Sequence, residues 1–245
     1  MQQFFVSPNQ VKETEISIVG ADVNHLKRVL RMKIGEELFI SAGENKGYQC
    51  VVKTIGEEEV VVTIAKEVTV ATELPSKIYL FQSLPKADKL EMIVQKAVEL
   101  GVHEIIPVST KRCVVKFDEK KARKKVERLN AIAESAAKQA GRAYIPQVKE
   151  VMKYEEAIAY AKEQDVRLMP YELADDMQAT KETINNLQIG QSIAVFIGPE
   201  GGFDQIEIKQ AKEAQIMPIT LGKRILRTET AGITTLSILM YRLEQ

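Results

Sequence analysis

A chain of 245 residues with 45% apolar and 28% charged side chains has the make-up of a folded globular protein, one large domain or two modest ones. Its 34 basic and 34 acidic residues cancel, so any argument for a nucleic-acid partner rests on local clusters and not on net charge. Two cysteines without Cys-x-x-Cys spacing and two histidines support neither a disulfide framework nor a metal site, and no stretch approaches the ~20 apolar residues of a membrane span. The first residues lack a basic region followed by an apolar run, so a cytoplasmic protein is expected.

Residues 1 to about 71 read as a small β-rich unit. Phe4-Phe5-Val6 is a short apolar run ended by Pro8. Asp22 precedes a helix over 23–31, with Val23, Leu26, Val29 and Leu30 on one face and His25, Lys27, Arg28 and Arg31 around the rest. Strands are expected at 37–41, 48–55 and 60–70, with turns at 43–47 and 56–59. Many short strands joined by polar turns predict a small barrel.

Composition shifts at Ala71-Thr-Glu-Leu-Pro-Ser76, a linker in this reading. Beyond it strands and helices alternate. Strands are expected at 77–81, 104–108, 166–169, 192–197 and 217–221. Helices are expected at 88–100, 119–140, 154–164, 175–187, 204–214 and 228–242. Such alternation predicts an α/β unit with a mostly parallel sheet covered on both faces. Between Lys111 and Arg128 there are nine basic residues, Lys116 among them, against three acids. That is either a footprint for phosphate backbone or a solvated helix face.

Two stretches near the C-terminus carry the chemistry. In Val195-Phe-Ile-Gly-Pro-Glu-Gly-Gly-Phe203, Gly198, Gly201 and Gly202 let the backbone turn sharply and approach a ligand, and Pro199 cannot donate an N–H. No Gly-Lys-Ser/Thr follows, so this is not a triphosphate loop, and it is not Gly-x-Gly-x-x-Gly at a first strand. Glu200 would repel phosphate, so the loop suits a cationic or neutral ligand. In Leu221-Gly-Lys-Arg-Ile-Leu-Arg-Thr-Glu-Thr-Ala231, the apolar side chains are suited to sandwich a flat heterocycle while backbone groups meet its edges. Arg227 needs a partner, either a nucleic-acid phosphate or a carboxylate such as Glu200 or Glu229. Thr228 is a good N-cap. Two such turns in neighbouring strand–helix units form a crevice at the carboxyl ends of the strands, where open α/β sheets bind ligands.

The whole chain resembles the RsmE family, bacterial methyltransferases of the SPOUT superfamily that modify N3 of a uridine in 16S ribosomal RNA. The matching segments are His25-Leu-Lys-Arg-Val-Leu-Arg31, Lys89-Leu-Glu91 with Gln95-Lys96 and Glu99-Leu-Gly101, Ile197-Gly-Pro-Glu-Gly-Gly202, and Leu221-Gly-x-x-Ile-Leu-Arg-Thr-Glu-Thr230. The resemblance implies an N-terminal PUA-like RNA-binding β-barrel at 1–71 and a C-terminal SPOUT domain with a trefoil-knotted parallel sheet at 72–245. It also implies S-adenosylmethionine as methyl donor, the small ribosomal subunit as partner and a homodimer.

Carried onto this sequence, the resemblance places donor binding at Ile197, Gly198, Pro199, Glu200 and Gly201, at Leu221, Gly222, Ile225, Leu226, Arg227 and Thr230, and at a third wall of Tyr171 and Glu172, where this chain departs from some relatives. RNA-facing residues are His25, Arg28, Arg31, Lys86, Lys89, Arg112, Gln139 and Arg142. Uridine N3 is an imide N–H and a poor nucleophile until it loses its proton. Glu200 and Glu229 are the candidate bases, and Arg227 is the cation for charge on the uracil oxygens. Two rival readings remain at this point. One is an RNA-binding assembly factor without catalysis. The other is a methyltransferase of the same superfamily acting on another RNA position.

Overall fold

The computed structural model of the chain describes residues 1–43, 45–115 and 118–244, the side chain of residue 119 excepted. Glu44 of the expected 43–47 turn and Lys116 of the basic stretch lie outside the described residues. The chain divides into two compact units, Met1–Glu73 with Ala137–Ile145, and Leu74–Ala136 with Pro146–Gln245. Among the described residues, no helix is long and apolar enough to cross a membrane.

The first unit is built on a curled sheet of β1 (Gln2–Phe5), β2 (Glu15–Val19), β3 (Glu37–Ser41), β4 (Lys46–Ile55) and β5 (Glu59–Thr69). The order is β1-β3-β4-β5-β2, so the expected barrel takes the form of a half-barrel with β1 and β2 at its edges. β1 runs parallel to β3, and the other pairs are antiparallel. Alternation drives the pairing: Ile16 and Ile18 of β2 and Val60 and Val62 of β5 turn inward with Leu38, Ile40 and Phe4.

The expected helix at 23–31 is not regular. A short α1 (Ala21–Asn24) runs into a π-helical stretch over His25–Leu30, and Arg31 ends it in the left-handed region at φ 52°. The wider turn moves later residues around the axis. Val23 and Leu26 stay buried, but Val29, expected on the same face, is 67% exposed. The tail of the unit is tied by polar contacts. Arg142 grips Glu73 at 2.6 Å, Gln3 donates to the Arg142 carbonyl at 2.7 Å, and Lys138 pairs with Asp22 at 2.9 Å.

The second unit holds β6 (Lys77–Ser83), α2 (Lys89–Glu99), β7 (Glu104–Ser109), α3 (Glu119–Gln139, its last turn counted in the first unit), β8 (Gln147–Val148) and β9 (Met152–Lys153). It continues with α4 (Tyr154–Ala161), β10 (Val166–Pro170), α5 (Met177–Asn185), β11 (Ser192–Ile197), α6 (Gln205–Glu213), β12 (Met217–Ile219) and α7 (Thr228–Leu243). Strand order is β12-β10-β11-β6-β7-β8, with β9 also beside β7, and every pair is parallel. Helices cover such a sheet, so its central strands carry continuous apolar runs. Ile193 to Ile197 of β11 are all buried, and Phe196 stacks on Phe81 at 4.5 Å, a contact adding about 0.5–1.5 kcal/mol beyond burial.

Chain direction at one end of this sheet determines the site. β12 lies at an edge, yet the next helix, α7, packs on α2 and on β11 in the middle. The segment between Ile219 and Thr228 therefore crosses back over strands already laid down.

Candidate functional site

β10, β11 and β12 are neighbours, so the loops at their carboxyl ends converge. The first begins at Tyr171, whose N–H donates to the Ile219 carbonyl at 3.0 Å, tying it to the end of β12. The second is Gly198–Phe203. Gly202 donates to the Pro199 carbonyl at 2.9 Å and has φ +67°. A Cβ there would stand 2.8 Å from Glu172 Oε1, so two of the three walls meet at this glycine, whose left-handed backbone disfavours any other residue. A Cβ on Gly198 would meet the Phe203 ring at 3.1 Å. Gly201, grouped with them in the sequence reading, has ordinary room for a Cβ at 3.5 Å from Arg112. The third loop follows Thr220, which is buried. Its N–H donates to Thr180 Oγ1 at 3.0 Å and its hydroxyl accepts from Gly222 N–H at 3.2 Å. Gly222 has φ +108°.

Thr228 does not cap its own helix. Arg227 is the capping residue of α7, by backbone alone, and Thr228 is the first helical residue. Its hydroxyl donates to the Gly198 carbonyl at 2.6 Å and accepts from Gln82 Nε2 at 3.0 Å. The second and third loops are thus joined by one buried side chain. Beside them Ile225 is 89% exposed, and Leu226 is half-buried. Arg227 and Thr230 face solvent, and among the described residues the Arg227 side chain makes no hydrogen bond or ion pair.

The expected acids and one expected RNA-facing lysine form a single cluster. Lys89 Nζ lies 3.1 Å from Glu200 Oε1 and 3.2 Å from Glu229 Oε2. Glu200 also accepts from the Lys86 N–H at 3.1 Å. Hydrogen bonding to Glu200 and then Glu229 holds the Lys89 ammonium above its ordinary value. Partial burial pushes the Glu200 carboxyl up, but hydrogen bonds from its own backbone, from Lys86 and from Lys89 outweigh it and leave it below the usual range. A carboxylate so satisfied is a weak base.

The remaining expected residues separate by role. Arg112 braces the back of the glycine turn, donating to the Gly201 carbonyl at 2.9 Å and lying 3.6 Å from Asp204. His25, Arg28, Arg31 and Gln139 are exposed in the first unit. Arg142, expected to face RNA, is 2% exposed with its guanidinium on Glu73, so its place is inside the first unit. Sequence reasoning missed Gln82. The signal was present: it is a polar residue closing the buried strand Ile78-Tyr-Leu-Phe-Gln82. A cavity of about 500 Å³ opens at the other end of β10 and β12, around Arg167, Lys212 and Met217, away from all of these groups.

Comparison with known proteins gives two matching families. A model described as an RNA methyltransferase domain matches residues 72–240, and one described as an RNA methyltransferase PUA domain matches residues 18–65. The Ribosomal RNA small subunit methyltransferase E of Bacillus subtilis (strain 168) is 34% identical, covering 100% of this chain and 98% of its own. That of Mesomycoplasma hyopneumoniae (strain 232) is 35% identical, covering 97% and 98%. Among solved structures, a Ribosomal RNA small subunit methyltransferase E from Neisseria gonorrhoeae bound to S-adenosyl methionine matches with a TM-score of 0.83 at 31% identity, covering 97% of this chain and 96% of that one.

The geometry of the glycine turn is directly testable. Gly202→Ala is expected to cost about 1–2 kcal/mol from the left-handed backbone, whereas Gly201→Ala is expected to melt close to the wild type. Thermal denaturation of the two variants checks this, and the opposite ranking would contradict the assignment.

Proposed function

We propose that this chain, which belongs to the ribosomal RNA small subunit methyltransferase E family of RNA methyltransferases, transfers a methyl group from S-adenosylmethionine to N3 of a uridine in small-subunit ribosomal RNA. The observation that carries the reading is the meeting of three strand-end loops at Gly202 and at the Thr228–Gly198 bond. Such a crevice fits the donor chemically. Backbone at Gly202 and Gly222 adopts φ values that keep side chains out, Ile225 and Leu226 offer apolar surface for a flat base, and Glu172 suits a cationic sulfonium better than a polyphosphate.

Bound there, S-adenosylmethionine supplies an activated methyl on a sulfonium leaving group. The residues of this chain have three tasks. Ile197 to Gly201 and Leu221 to Leu226, with Tyr171 and Glu172, hold the donor in line with the nucleophile and exclude water. Arg227, exposed and without a side-chain partner among the described residues, stabilises the negative charge that spreads onto the uracil oxygens when N3 is deprotonated. Glu229 takes the N3 proton. Glu200 is committed to three donors, and its work is to hold Lys89. The N3 electron pair freed by Glu229 would accept the methyl, with the donor's sulfur as leaving group.

RNA contacts are assigned to exposed basic side chains. On α3, Lys120, Arg123 and Lys124 line a shallow concavity of about 410 Å³ and suit successive phosphates. In the first unit, His25, Arg28 and Arg31 are the corresponding group. A ribosomal RNA substrate favours a cytoplasmic location. A homodimer is the assembly favoured by the apolar side chains left in solvent on α7, where Ile238 is 39% and Tyr241 87% exposed, and on the loop before it at Ile225.

Calorimetric titration with S-adenosylmethionine and an assay of N3-methyluridine in small-subunit RNA test the function together. Arg227→Ala is expected to bind the donor nearly as well as wild type while losing about a hundredfold or more in turnover. Equal losses in both would move Arg227 into the donor site, and a wild-type chain that binds no donor would leave an RNA-binding factor without catalysis. For the assembly, the double variant Ile238→Glu, Tyr241→Glu is expected to sediment as a monomer where the wild type sediments as a dimer. A monomeric wild type would contradict the dimer.

A further inference from the structure

Gln82 is the least explained polar residue in the second unit. It is 0% exposed, near the end of β6, and its neighbour across the sheet is Ile197, the residue before the glycine turn. Its amide donates to the Ser83 carbonyl at 2.9 Å and to Thr228 Oγ1 at 3.0 Å. Thr228 has one hydroxyl proton, and the Gly198 carbonyl at 2.6 Å takes it. The direction of the chain is therefore set: Gln82 gives to Thr228, and Thr228 gives to Gly198.

The target of this chain is an unusual peptide unit. The Gly198–Pro199 link has a carbonyl but no N–H, because its nitrogen belongs to proline. The Gly198 carbonyl is thus the one polar handle on that unit. Wherever it points, the plane of the peptide follows, and with it the position from which the turn at Pro199 to Gly202 departs. Leaving that carbonyl unpaired in its part-buried setting also costs some of its desolvation, which drives the turn toward some other arrangement.

We propose that Gln82 and Thr228 are positioning residues for methyl-donor binding: by tethering the Gly198 carbonyl they hold the glycine turn and the start of α7 in one relative register. This rests on the donor-site reading given above. Neither residue is assigned a contact with the donor. They act through the backbone they orient, and a purely structural role would lower stability without changing donor affinity in the folded protein.

The test is donor titration by calorimetry on the full chain, well below the melting temperature, with RNA affinity measured separately. Thr228→Val keeps the shape and removes the hydroxyl; Thr228→Ser keeps the hydroxyl and removes the methyl. The expected result is a dissociation constant for S-adenosylmethionine raised about tenfold or more in Thr228→Val, restored to within about threefold of wild type in Thr228→Ser, with RNA affinity unchanged in both. Should Thr228→Val fail to fold, Gln82→Leu breaks the same chain one link earlier and is expected to weaken donor binding in the same direction. Wild-type donor affinity in Thr228→Val or in a folded Gln82→Leu overturns the proposal, as does a Thr228→Ser variant as weak as Thr228→Val. A wild-type chain that binds no donor would instead sink the donor-site reading.

Discussion

Thr228 and Gly198 are 30 residues apart in the chain and 2.6 Å apart in space. The bond between them closes a detour that costs backbone order. After β12 the chain stands at the edge of the sheet, and to place α7 on β11 and α2 it has to recross the carboxyl ends of the strands between. A crossing of this kind buries peptide groups that no strand ladder serves. Side chains serve them instead: Thr180 accepts from Thr220, Thr220 accepts from Gly222, and Thr228 reaches Gly198.

Charge is arranged around that crossing with the same economy. One ammonium, on Lys89, serves a carboxylate from the glycine turn and a carboxylate from the first turn of α7. Glu229 suits a helix N-terminus on electrostatic grounds as well. Two negative groups and one positive leave the cluster with a single negative charge, which favours a cationic ligand nearby and disfavours phosphate. The sign worked out for Glu200, a carboxyl below its ordinary value, means that its contribution to stability is present above its unfolded pKa and is lost as pH falls through the folded value. For Lys89 the sense is reversed: its contribution holds below the unfolded pKa and is lost as pH rises through the raised folded value.

Much of this was legible from the chain. Alternating strands and helices, the apolar run before Gly198 and the cap of α6 by Asp204, whose carboxylate accepts from Ile206 at 3.1 Å, follow from local pattern. The family followed from two motifs found together. Local pattern failed where distant contacts decide. Val29 reads as a core residue until a π-helical turn carries it into solvent. Arg142 reads as a surface cation until Glu73 claims it. Thr228 reads as a helix cap because its partner lies in another loop, and Gly201 reads like Gly202 because only the fold brings Glu172 beside one of them. No periodicity encodes the recrossing after β12, since it is a property of the path and not of any segment.

The account makes the glycine turn and the segment leading into α7 one cooperative unit that a single ligand orders. Amide hydrogen exchange in the presence and absence of S-adenosylmethionine measures this most directly. The expected result is slower exchange at residues 198–203 and 220–231 together, reaching saturation at the same donor concentration. Protection confined to one stretch, or appearing in neither while the donor is bound, would contradict it.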